Sequence, residues 1–311
     1  MNENKVGASC AVKTFFTDII YGMLIGIAFI IPGFSGGSIA AILGIYEKLI
    51  DAIADIFKNF KKSVLTLLPV AIGMVAGVLA LLFPLGWALE AFPIPTVCIF
   101  VGLAFGGLFS ITDKTKGKPS ATNIIALIIP LLFALALSFL PVSADVNLLN
   151  LNFGGYVLLF LVGLIGSAAL VIPGISGSML LLILGYYNPI ISIATDHLLK
   201  GRDIGVSIAV LGTTGAGIVI GFFIISIIMK ILLAKCPRGT YFAIIGFIVG
   251  SIPTVFISTA KESGLSLGEL MPNAWYWIIS VLFIIIGFAL SFSLILYSKR
   301  KENVQNTADE E

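Results

Sequence analysis

Residues 31–38 read IPGFSGGS and residues 172–179 read IPGISGSM. Each stretch lies inside an apolar run, where an uninterrupted helix would be expected, and each is built to interrupt one. Proline fixes φ and has no amide proton to donate, while glycine admits tight or left-handed backbone. Serine is a common first residue of the helix that resumes after such a break.

The match extends outward on both sides. Pro32, Gly33, Ser35, Gly36, Ile42, Leu43, Gly44 and Tyr46 recur as Pro173, Gly174, Ser176, Gly177, Ile183, Leu184, Gly185 and Tyr187, at a constant offset of 141. Upstream, Gly22 and Ala28 recur as Gly163 and Ala169. After a three-residue insertion the offset is 144, and it carries Gly73, Gly77, Thr96, Gly102 and Gly106 onto Gly217, Gly221, Thr240, Gly246 and Gly250. The chain is an internal duplication. We expect residues 1–14 as an N-terminal segment, 15–141 as a first repeat, 142–298 as a second repeat and 299–311 as a tail.

The chain of 311 residues is 59% hydrophobic and only 11% charged, with a mean hydropathy of +1.11. Soluble domains carry roughly a quarter charged residues, so this is an all-α integral membrane protein. A helix needs about 20 apolar residues to cross the hydrocarbon core. Runs starting at Val64, Thr96, Ile124, Gly205, Tyr241 and Trp275 reach or approach that length, whereas the four runs flanking the two motifs come as split pairs. Met1–Thr14 is polar and no small-residue cleavage site follows, so no cleavable signal peptide is expected. Cys10, Cys98 and Cys236 have neither metal-ligand nor disulfide spacing.

Two topologies fit a split pair. As a broken span it gives each repeat four crossings, and the repeats are parallel. As a re-entrant hairpin it leaves three, and the repeats are inverted. Lysine and arginine concentrate in cytoplasmic loops. The re-entrant arrangement puts 15 of them on one side and leaves only Lys200, Arg202 and Lys261 on the other, whereas the broken-span arrangement divides them 8 to 10. The expected fold is therefore an inverted-topology repeat of six transmembrane helices and two re-entrant helical hairpins, multi-pass, with both termini cytoplasmic. The GxxxG pairs Gly73/Gly77, Gly102/Gly106, Gly217/Gly221 and Gly246/Gly250 should let helix backbones approach closely. Asp51–Lys62 should lie along the inner interface, and the polar tail Glu302–Glu311 is expected to be disordered.

Irregular backbone at membrane depth must be buried in protein or reached by water. Two such turns, in matching places of two halves, are the strongest sequence pointer to a transport site. A half-helix beginning at each turn offers unpaired amides and the positive end of its dipole, which suits phosphate. Candidate binding residues are Pro32, Gly33, Ser35, Gly36, Gly37, Ser38, Pro173, Gly174, Ser176, Gly177 and Ser178. The plainer reading is that the turns only cap helices and reverse a hairpin. No titratable residue sits well inside a span, and neither catalytic nor metal-ligand motifs occur, so an enzyme, a cofactor, a metal or a nucleic-acid partner is not expected. His197 reads as a solvated loop residue.

PGFSGGS continuing into AAILGIYEKLIDAI, with a second PGISGS, resembles the bacterial polyprenyl-phosphate transporter family over residues 15–297. The resemblance implies a flippase of the bacterial cytoplasmic membrane that returns undecaprenyl phosphate, the lipid carrier of cell-wall synthesis, from the outer to the inner leaflet. Its partners would be that lipid phosphate and membrane lipids, with oligomerisation left open. The second copy departs from the first: Gly37, Ser38 and Glu47–Lys48 become Ser178, Met179 and Asn188–Pro189, so the half-sites are not equivalent. Lys200 and Arg202 either balance Asp196 and Asp203 or collect the headgroup at the outer surface. A small-anion or solute channel with two re-entrant half-helices is the alternative, although few polar residues beyond serines, Thr213 and Thr214 are present to line one.

Overall fold

The computed structural model describes residues 3–29, 35–141 and 143–309. It is all-helical over those residues, and the duplication is written into its element bounds. The first half contains α1 (Glu3–Ala28), α2 (Gly36–Ile42), α3 (Tyr46–Ala54), α4 (Phe60–Ala91), α5 (Pro93–Thr112) and α6 (Ala121–Phe139). The second contains α7 (Phe153–Val171), α8 (Gly177–Ile183), α9 (Tyr187–Ser192), α10 (Ile204–Lys235), α11 (Pro237–Ser263) and α12 (Ala274–Asp309), with a π turn at Ile193–Leu198 after α9. The bounds of α8 are those of α2 moved by 141, and the bounds of α10 are those of α4 moved by 144. Even a helix-joint hydrogen bond repeats. The Thr96 hydroxyl donates to the Ala88 carbonyl at 2.9 Å, and its counterpart Thr240 donates to Leu232 at 3.1 Å.

Among the described residues, six helices are long and apolar enough to cross a membrane: Phe60–Ala91, Ala121–Phe139, Phe153–Val171, Ile204–Lys235, Pro237–Lys261 and Ala274–Ser293. This set differs in one member from the six runs expected. The arm before the second motif, α7, reaches spanning length by itself, while the continuous apolar part of α5 is Pro93–Phe109. The spans turn bare apolar faces outward (Leu79, Phe83, Ile129, Leu132 and Val281 are exposed), as contact with lipid requires.

The helices pair by close backbone approach. A Cβ on Gly26 or Gly77 would strike the α4 or α1 backbone, and one on Gly106 or Gly250 would strike α12 or α6. α1 lies on α4 and α7 on α10, while α5 lies on α12 and α11 on α6. The last two pairs each join one half to the other, so neither half is a separate body.

Each hairpin breaks twice. Besides the Pro-Gly-Ser turn, there is a second break after α2 and after α8, at Gly44 (φ 73°) and Gly185 (φ 77°). These left-handed positions end a two-turn helix in the manner of a glycine cap. Past the second of them the chain bends by 108° between Gly177–Ile183 and Tyr187–Leu198. The matched pair Gly44/Gly185 carries that signal in the sequence.

One expectation fails outright. The tail does not leave helical structure at Glu302, because α12 continues to Asp309. Residues 299–309 contain neither proline nor glycine, and the strong helix formers Lys299, Arg300, Lys301 and Glu302 carry the helix on from the apolar span.

Candidate functional site

The two motifs meet. The Ser35 hydroxyl, at the start of α2, donates to the Ala169 carbonyl of α7 at 3.2 Å. The Tyr46 hydroxyl, at the start of α3, donates to the Val171 carbonyl at 2.9 Å. A Cβ on Gly37 would lie 3.2 Å from the Val171 oxygen and 3.4 Å from the Pro173 nitrogen. Glycine is therefore what lets the first half-helix start against the backbone of the second turn. Pro32 and Gly33 lie outside the described residues.

The start of α2 is buried: Ser35 is 3% exposed and Ser38 1%. α2 has no side-chain cap; the Ser38 and Ile39 amides donate to the Ser35 carbonyl at 3.0 and 3.4 Å, which leaves the Gly36 and Gly37 amides at the open start of the helix. The Ser38 hydroxyl is buried and unpartnered among the described residues. The second turn is arranged differently. The Ser176 hydroxyl accepts from the Met179 amide at 3.4 Å and lies 3.2 Å from the Ser178 hydroxyl. Gly174 has φ 86°, and a Cβ there would lie 2.5 Å from the Phe247 carbonyl carbon of α11. Thus Gly174 adjoins α11 and Gly177 adjoins α7, Pro173 lies against Gly37, Ser176 and Ser178 stay with their own turn, and Ser35 and Gly37 reach across.

An apolar cavity of about 600 Å³ opens beside Gly36 and Gly37. At the end of the molecule beyond it, α3 is held by charged pairs that the sequence reading did not foresee. Lys48 pairs with the buried Asp18 carboxylate at 2.6 Å. Lys230 of α10 pairs with Asp51 at 3.4 Å and with Asp55. Tyr241 of α11 donates to Glu47, which also lies 3.8 Å from the Lys114 ammonium. The hydrogen bond from Lys230, with its charge, holds the Asp55 carboxyl below the usual carboxylate range. The Asp18–Lys48 pair brings the start of the first hairpin's apolar arm and its exit to the same end. Asp18 stands one residue before the run that begins at Ile19, and nothing in the sequence links it to Lys48.

At the other end of the molecule the pairs are local. Lys200 lies 2.5 Å from Asp196 on the next turn, and His197 lies 3.0 Å from Asp203. Lys200 keeps the Asp196 carboxyl below its usual range. The Arg202 amide donates to the His197 carbonyl at 2.7 Å, and the residue is exposed. Lys200 and Arg202 are thus close together but far in sequence and structure from the Ser35–Gly37 junction.

The fold and site define a polytopic helical membrane protein whose two interrupted hairpins touch at their turns. Residues 25–267 match the model of the undecaprenyl phosphate translocase-like family, and the chain belongs to that family. It is similar to a polyprenyl-phosphate transporter of Staphylococcus aureus (strain NCTC 8325 / PS 47), 32% identical over 89% of this chain and 95% of the relative. It is also similar to a polyprenyl-phosphate transporter of Vibrio cholerae serotype O1, 26% identical over 78% of each chain. No solved structure matches it.

Proposed function

We propose that this protein moves undecaprenyl phosphate from the outer to the inner leaflet of the bacterial cytoplasmic membrane, as a transporter and without catalytic chemistry. The phosphate sits at the junction of the two turns, at Ser35, Gly36, Gly37 and Ser38 on one side and Ser176, Gly177 and Ser178 on the other. Pro173 and Gly174 shape the backbone on the second side of it, and Pro32 and Gly33 of the first motif, which lie outside the described residues, belong to the same proposed set. The observation that carries this reading is the buried, uncapped start of α2 beside an apolar cavity. That pairing suits an anion attached to a hydrocarbon chain, whereas a channel for hydrated ions needs a polar lining. Without a lysine or arginine at the junction, binding stays weak enough for release.

The two halves are inverted and both termini are cytoplasmic in this reading, which the clustering of Lys48, Lys114 and Lys230 at one end supports. At the opposite, outer end, Lys200 and Arg202 collect the headgroup. The test of function is a leaflet assay. Loss of the protein should make undecaprenyl phosphate accumulate on the outer surface, and unchanged leaflet distribution would overturn the assignment. Labelling of Glu47→Cys and Asn4→Cys from the same, inner side tests the topology.

A further inference from the structure

We propose that the cavity beside the first turn seats the isoprene units nearest the phosphate, so that the protein grips its substrate by the chain as well as by the headgroup. This rests on the reading of the chain as a polyprenyl-phosphate transporter. The cavity, about 600 Å³, has Gly36 and Gly37 in its wall together with Phe29, Ala40, Met74 and Phe222. A phosphate at the turn therefore places its first prenyl units inside.

The lining is what a hydrocarbon needs. Among the described residues of the lining, Tyr46 is the one with a polar side chain, and its hydroxyl already donates to Val171. A hydrated ion entering here would lose its water without replacement, whereas a prenyl chain forfeits no hydrogen bond and exchanges lipid tails for packed apolar side chains. The volume falls within the roughly 300–1,000 Å³ typical of small-ligand pockets, so it holds only part of an undecaprenyl chain. The remainder has a way out: Ala71 on α4 and Val219 on α10 line the cavity and are exposed, which makes a lateral mouth toward lipid.

The sequence duplication shows that the two turns are lined differently. At the offset of 141, Ala40 corresponds to Leu181 and Ile25 to Gly166. In the second half the Leu181 side chain fills the place beside Gly166, 3.3 Å from where a Cβ would stand. In the first half the large and small residues are exchanged, and Ile25 and Ala40 both line the cavity. The seat is a property of the first repeat, with α7 and α10 of the second supplying the far wall.

Filling the mouth tests this. Ala71→Trp and, independently, Val219→Trp are compared with wild type and with Ile72→Trp, a lipid-facing control on the same helix outside the cavity. Binding of undecaprenyl phosphate and of dimethylallyl phosphate is measured in phosphatidylcholine nanodiscs. Both filled variants should bind undecaprenyl phosphate about tenfold more weakly, a loss in line with removing a few methylene contacts, with dimethylallyl phosphate binding unchanged and Ile72→Trp like wild type. Should Ala71→Trp fail to insert, Val219→Trp carries the test. Undecaprenyl phosphate binding that survives filling, or an equal loss of both ligands, overturns the chain seat and leaves the transporter reading standing. A wild-type protein that binds no undecaprenyl phosphate overturns the transporter reading itself.

Discussion

The two hairpins share a backbone and differ in what ties them down. Both return through a seven-residue helix that ends at a left-handed glycine. At the first, Ser35 reaches across to the other half and leaves its own helix uncapped, while at the second Ser176 caps its own helix. After the first, α3 is bound to α1, to α10 and to α11 by charged side chains; after the second, the ion pairs of the π turn and the loop behind it stay within six residues of each other. A duplicated scaffold has thus been given one braced hairpin and one lightly held one.

The largest effect should come from the second turn. Gly174→Ala forces an L-residue into the left-handed region, at a cost of about 1–2 kcal/mol, and drives its Cβ into the backbone of α11, which cannot give. We expect loss of folded protein from the membrane, measured by detergent-resistant monodispersity. Gly177→Ala, three residues on, meets only an ordinary 3.4 Å contact with the Ala169 methyl and should insert normally. Equal stability of the two variants would mean that Gly174 is not under constraint.

Next is Gly36→Val. Its Cβ would lie 2.7 Å from the Phe29 ring, the far end of a side chain, so the fold can adjust while the approach to the first turn is blocked. Transport of undecaprenyl phosphate in proteoliposomes should fall to background with insertion intact. Ser35→Ala should cost less, since one neutral hydrogen bond contributes about 0.5–1.5 kcal/mol. Wild-type transport by Gly36→Val would remove the phosphate from this turn.

Which of these features could be read from the chain follows from their range. The breaks, the duplication and the packing glycines depend on local backbone rules and on spacing, so Pro173–Gly174, Gly44/Gly185 and Gly73/Gly77 all left a mark in the sequence. The junction itself is legible only in outline, as two turns in matching places of two halves. The partners that make it specific are not. Asp18–Lys48, Glu47–Tyr241 and Tyr46–Val171 join residues that no period or motif connects. Leu181 on Gly166 against Ala40 beside Ile25 shows the same limit, because large and small side chains change places between two sites that look alike as patterns.

Breaking the brace tests the asymmetry more gently. Lys48→Ala strands a carboxylate whose side chain is 8% exposed, and an unsatisfied buried group costs about 1–3 kcal/mol. We expect a lower thermal midpoint and a faster hydrogen exchange confined to α3. Acid should act on the neighbouring pair. Because Lys230 depresses the folded-state pKa of Asp55, the stability it contributes is full above the unfolded value of about 3.9 and is lost as pH falls through the lowered value. Asp55→Asn should flatten that acid-side loss, and an unchanged pH profile would separate Asp55 from the brace.

The smallest effect belongs to the lightly held end, where it decides between two roles for the outer cations. Lys200 is engaged by Asp196, so most of its charge is answered locally, whereas the exposed Arg202 can offer two parallel donors to a phosphate. Neither substitution should alter insertion or stability, because exposed pairs contribute little. If these residues collect the headgroup, Arg202→Ala should slow uptake about two- to fivefold at low salt, Lys200→Ala should do less, and both differences should shrink at physiological ionic strength, where the screening length is about 8 Å. Uptake rates measured at the two salt concentrations separate this from simple charge balance. If the double variant matches wild type at both, the cations only offset Asp196 and Asp203, and the lipid reaches the junction between the apolar helices.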